Sequence, residues 1–120
     1  MRAISEFQGV FLHRDPVDGR KAINGLSEIV EQAQMGVLQG PNLFVFCGKR
    51  RDVIKILYFD KSGFALWQKR LEVEKFPWPK AKTHEETVVT LTAEQMQWLL
   101  DGYDVWKMKP FGEFSFSRVS

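Results

Sequence analysis

The chain has 120 residues, a length that suits one domain around one core and leaves too little for a comfortable second. A hydrophobic fraction of 44 % and an aromatic fraction of 13 % exclude disorder over most of the length, while 17 Lys and Arg against 15 Asp and Glu leave a net charge of only +2. Any attraction to nucleic acid must therefore come from local clustering of charge. Cys47 is the single cysteine, which excludes an internal disulfide and a Cys-rich zinc site and fits a reducing compartment. Residues 1–7 lack the apolar run of a secretory signal, and no stretch approaches the ~20 apolar residues of a bilayer span, so a cytoplasmic protein without membrane association is expected.

Gly9 to Arg14 is rich in strand formers and stops at Asp15-Pro16-Val17-Asp18-Gly19, which reads as a turn. From Arg20 to about Met35, Ala22, Ile23, Leu26, Ile29, Val30 and Ala33 recur at spacings of three and four. This predicts a helix with Asp18 as its cap and Gly36 as its stop. Gly25 inside it suggests a close approach to a sheet. Leu43 to Cys47 is apolar on both faces, as expected of a central strand, and Val53 to Phe59 is a second strand. The charged link Gly48-Lys49-Arg50-Arg51-Asp52 makes these two a hairpin with a basic tip.

Asp60-Lys61-Ser62-Gly63 is a turn, and Phe64 to Glu72 returns as the next strand of an antiparallel meander. Phe76-Pro77-Trp78-Pro79 is rigid and extended, residues 80–86 form a polar loop, and residues 87–91 form a short strand. Thr92 and Gln95 have capping-box spacing before a helix whose apolar face is Met96, Leu99 and Leu100, ended by Asp101-Gly102. The expected fold is α+β, a small antiparallel meander sheet of about five strands packed with two helices. Residues 1–106 form the domain and residues 107–120 a C-terminal tail.

Two positive clusters stand out in this nearly neutral chain. Lys49, Arg50 and Arg51, with Lys55 beyond them, place guanidinium and ammonium groups on a protruding turn suited to phosphate contact; the plainer reading is a solvated loop. Lys69 and Arg70, with Lys75, Lys80 and Lys82 around Phe76 and Trp78, interleave cations with aromatics in the manner of a strand-tracking surface. The plainer reading there is that the aromatics cover one edge of the core. Asp15, Asp18, Asp52 and Asp60 fall in turns, where Asp is favoured for local hydrogen bonding, and their spacing does not indicate a metal site. His13 and His84 are far apart, Cys47 sits in an apolar strand, and glycine-rich phosphate loops and nucleophile elbows are lacking, so no cofactor, metal or catalytic residue is expected.

Several segments, taken together and in order, carry a resemblance. Asp18-Gly19-Arg20-Lys21 runs through to Gly25-Leu26, followed by Leu43 to Phe46, the basic turn to Asp52, and Ile54 to Asp60. Gly63-Phe64, Lys69-Arg70-Leu71-Glu72, Phe76 to Pro79, Leu91 to Gln95 and Leu99 to Gly102 complete the set. The chain from about residue 9 to 106 resembles the TnpB accessory proteins, encoded by the second open reading frame of the bacterial insertion-sequence family sixty-six. Cys47 and Arg51 depart from the family pattern, which usually has a basic residue and a glycine at those places in the hairpin turn. The resemblance implies an accessory factor for transposition, encoded beside a separate transposase.

Three functional readings follow. In the first, transposon DNA, or the transposase on that DNA, is bound through Lys49, Arg50, Arg51, Lys55, Lys69 and Arg70, with Arg20 and Lys21 at the first helix adding to the surface. Arg20 has an alternative use in pairing with Asp18 or Asp52. In the second, Trp67, Phe76 and Trp78 form an exposed aromatic edge that docks on the transposase without DNA contact. The third is a metal-dependent nuclease using Asp18, Asp52 or Asp60, and it requires a carboxylate cluster.

Overall fold

The computed structural model of the protein describes residues 1–107; of the tail expected over residues 107–120, all but the first residue lies outside the described residues. After a single 3-10 turn at Ile4–Glu6 come β1 (Gly9–His13), α1 (Ile23–Gln32), β2 (Asn42–Cys47), β3 (Val53–Asp60), β4 (Gly63–Arg70), β5 (Val88–Leu91) and α2 (Ala93–Leu100). The five strands form one sheet in the order β4-β3-β2-β1-β5. The sheet is mixed, which corrects the expected antiparallel arrangement. β2, β3 and β4 do form a meander, but β1 runs parallel to β2, from Gly9 opposite Asn42 to Leu12 opposite Val45. A helix between two neighbouring strands carries the chain back to its starting end, so the second strand enters in the same direction. β5 then closes the other edge antiparallel to β1.

Side chains alternate across the sheet and separate two apolar layers. On one face, Leu12, Val45, Ile54 and Ile56 pack with Phe76, Trp78, Met96 and Leu99, so α2 and the segment before it cover that side. On the other, Phe44, Phe46 and Leu57 pack with Leu26 and Val30 of α1. β2 is buried from Leu43 to Cys47, as its continuous apolar run requires of a strand covered on both faces.

The helix ends differ in how well the sequence announces them. Thr92 caps α2 as expected: Gln95 N–H donates to Thr92 Oγ1 at 3.0 Å, and Thr92 N–H donates to Gln95 Oε1 at 2.9 Å. Gly102, at φ +100°, ends it in a conformation natural to glycine. α1 instead starts at Ile23, with Ala22 as an N-cap that makes no side-chain bond. Asp18 holds the preceding turn, accepting Arg20 N–H at 2.8 Å. The stop is Gln34 at φ 51°, ahead of Gly36. Gly25 does not mark a close approach to the sheet, since a Cβ there meets only the Lys21 side chain.

Candidate nucleic-acid interface at the hairpin end of the sheet

Strand directions bring three connections to one end of the sheet. Residues 14–22 leave β1 there, residues 48–52 link β2 to β3, and residues 71–87 run from the end of β4 to the start of β5. The eight basic residues singled out above all fall at this end. Backbone bonds brace it: Val17 N–H donates to Cys47 O at 2.9 Å, Leu71 N–H to Asp52 O at 2.7 Å and Phe76 N–H to Arg51 O at 2.7 Å. The hairpin tip is thereby held from both sides, which limits the entropy lost when its side chains engage a ligand.

The eight residues do not play one role. Lys55 Nζ donates to Gly19 O at 2.6 Å and to Lys21 O at 2.8 Å, tying the loop before α1 to the sheet. Lys69 Nζ donates to Leu100 O at 2.8 Å, satisfying a carbonyl at the C-terminus of α2 where a cation also complements the helix dipole. Arg20 pairs with Asp18 at 2.8 Å, and Arg70 lies 3.7 Å from Glu72. The Arg20 hydrogen bond holds the Asp18 carboxyl well below the usual carboxylate range, and the same bond raises Arg20. Lys21, Lys49, Arg50 and Arg51 have no carboxylate within 4 Å among the described residues. Lys49 and Arg50 are exposed, and Arg51 is half-buried.

Arg51 adopts φ 58°, in the left-handed region that disfavours an ordinary side chain, and its N–H closes the turn on Gly48 O at 3.0 Å. A side chain in that conformation costs about 1–2 kcal/mol. Arg51→Gly is therefore expected to leave stability equal, or higher by up to about 1 kcal/mol, while weakening DNA retention. Urea denaturation beside a DNA titration checks both halves.

Two recesses flank the tip. One, of about 370 Å³, lies among Val17, Phe46, Lys49, Arg50, Lys55 and Gln68. The other, of about 400 Å³, places Arg51 beside Trp78, Lys80, His84, Trp106 and Lys107. Arg14 was not among the expected site residues, and its role is local: its Nη1 donates to His84 O at 2.9 Å and Glu85 O at 2.8 Å, fixing the loop beside the second recess. Lys80, named above in the second positive cluster, lines this recess beside Arg51 of the first.

The aromatic edge is corrected. Phe76 is 1 % exposed and Trp78 5 %, both inside the layer under α2, and Trp78 Nε1 donates to Arg14 O at 3.0 Å. Trp67 is half-buried against the same layer. Flanking prolines keep this segment extended so that its rings reach inward across the strand ends. Nor do the three carboxylates meet. Asp52 precedes β3 and Asp60 ends it, roughly 25 Å apart at about 3.3 Å per residue, and Asp60 lies 3.9 Å from Arg2 at the far end. Among the described residues no group of three His, Cys, Asp or Glu side chains is placed to hold a metal ion. No helix among them is long and apolar enough to cross a membrane.

Cys47 is buried, and burial pushes its thiol up to about 12. A thiol so raised favours the fold below the ordinary thiol range, and the advantage is lost as pH climbs from there toward 12. At pH 8 native protein is expected to resist alkylation that the urea-unfolded chain undergoes readily. Equal rates in the two states would show the thiol to be accessible.

Comparison with known proteins places this arrangement in a family. The sequence pattern of the family described as IS66 Orf2 like protein matches residues 8–110. A protein of Sinorhizobium fredii (strain NBRC 101917 / NGR234), "Uncharacterized protein y4jC", is 32 % identical over 100 residues, covering 83 % of each chain. "Uncharacterized protein y4hO" of the same organism is 34 % identical over 79 residues, covering 66 % of this chain and 64 % of its own length. No solved structure matches.

Proposed function

This chain belongs to the IS66 Orf2 like protein family, whose role is accessory and associated with transposition, and from that premise we propose that it binds transposon DNA through the β2–β3 hairpin tip. The observation that carries the reading is the state of Lys49, Arg50 and Arg51: three consecutive cations on a braced turn, none paired with a carboxylate among the described residues. Unpaired cations are the ones free to displace counterions from a phosphate backbone. Lys21 and Lys80 extend the same end of the sheet, whereas Lys55 and Lys69 position its loops. The separate transposase is the partner that carries out the chemistry.

Docking on the transposase through an aromatic edge is the less favoured reading, since Phe76 and Trp78 serve the core. The two differ in their response to salt. Three phosphate contacts give a slope of about −2.7 in log K against log salt, hence a loss of about 40-fold between 50 and 200 mM. Fluorescence anisotropy with an insertion-sequence end duplex measures it. No retention at low salt, or retention indifferent to salt, would count against DNA contact through the tip.

A further inference from the structure

The recess between the hairpin and the α1 loop has two kinds of wall. Its lining combines the half-buried apolar side chains Val17 and Val53, with Phe46 buried behind them, and the exposed cations Lys49 and Arg50. Gln68 and Asp52 add polar groups, and Lys55 borders it with its Nζ already committed to Gly19 O and Lys21 O. The volume, about 370 Å³, is at the small end for a ligand site and has no room for a duplex. A free inorganic anion leaves the apolar wall unused, and an apolar ligand leaves the cations unused. A nucleotide uses both, since it joins a flat, largely apolar face to a phosphate.

Resting on the proposed contact between the tip and DNA, we propose that this recess takes one unstacked nucleotide of single-stranded DNA, its base inside and its phosphates against Lys49 and Arg50. A paired base is held in its stack and does not enter, so the recess distinguishes frayed or displaced ends from intact duplex. Asp52 is an acceptor and Gln68 is both donor and acceptor, so the polar edge of a base can be met there. The recess is preformed because Val17 is bonded to Cys47, and Asp52 and Arg51 are held by Leu71 and Phe76.

The test compares a blunt duplex with the same duplex carrying a three-cytosine single-stranded overhang, by anisotropy at one salt concentration. The wild-type protein is expected to bind the overhang DNA about tenfold more tightly, the order of effect of accommodating one base. Gln68 is exposed on β4 opposite Lys55, so Gln68→Trp fills the opening without entering the core. That variant should lose the preference and keep wild-type affinity for the blunt duplex. A second readout needs no variant: the methyl signals of Val17 and Val53 should shift with overhang DNA and not with blunt duplex. Equal affinity of wild type for the two DNAs, unmoved methyl signals, or a preference that survives in Gln68→Trp would remove the nucleotide pocket and leave tip binding standing. Failure of both DNAs to bind at low salt would overturn the tip reading itself, and this one with it.

Discussion

Replacing Lys49, Arg50 and Arg51 together by Ala is expected to flatten the salt dependence of DNA binding by about 2.7 units of slope and to abolish retention at moderate salt. Each cation removed deletes one displaced counterion, so the slope reports the number of phosphates touched more directly than affinity does. The fold should survive. Lys49 and Arg50 are exposed, and these side chains bridge to no carboxylate among the described residues. The backbone bonds that hold the turn, from Arg51 N–H to Gly48 O and from Phe76 N–H to Arg51 O, do not depend on side-chain identity. Lys61→Ala, in the β3–β4 turn at the far end of the sheet, is the matched control and should leave both slope and stability unchanged. Circular dichroism of the triple variant separates loss of binding from loss of structure. A slope that stays at the wild-type value would place the phosphate contacts elsewhere.

Trp78→Ala and Phe76→Ala are each expected to cost about 3–5 kcal/mol of stability, as large-to-small changes in a filled core do. Both rings lie in the layer beneath α2, and their loss opens a cavity that the sheet and helix cannot close. Trp78→Phe removes the indole hydrogen bond to Arg14 O together with part of the ring, and should cost less than the alanine change. Urea denaturation measures all three. Because residues 71–76 also brace the hairpin, the two alanine variants should weaken DNA binding indirectly, in step with unfolding. An alanine variant as stable as wild type, yet deficient in transposase capture, would instead restore the aromatic edge as a docking surface.

Much of the fold was legible because its signals are local. The capping spacing of Thr92 and Gln95, the continuous apolar run of β2 and the turn at Asp60 to Gly63 each express short-range physics. The parallel pairing of β1 with β2 is a long-range fact. Its one local sign is the helix between the two strands, which demands a crossover. The start of α1 at Ile23 departs from the apolar periodicity for a similar reason. Lys55 and Cys47, far along the chain, hold residues 17–21 as a loop through carbonyl and amide contacts that periodicity does not encode.

The site divides in the same way. Clustering of Lys49, Arg50 and Arg51 is visible in the sequence, but which cations are spent on the fold is not. Lys55 offers a clue in retrospect, being a single charge inside an apolar strand, where a long side chain reaches out to find a partner. Phe76 and Trp78 suit either an exposed edge or a lid on the core, and their burial matches the second, plainer reading. Their burial follows from where β4 ends and β5 begins, which only the assembled sheet determines.

Chemical-shift mapping of the protein titrated with an insertion-sequence end duplex asks directly which surface meets DNA. Perturbations are expected at Gly48 to Asp52 and extending to Lys21 and Lys80, with the Asp60 to Gly63 turn unmoved. Shifts gathered at that turn, or absent at low salt, would contradict the assignment of the hairpin tip as the DNA-binding element.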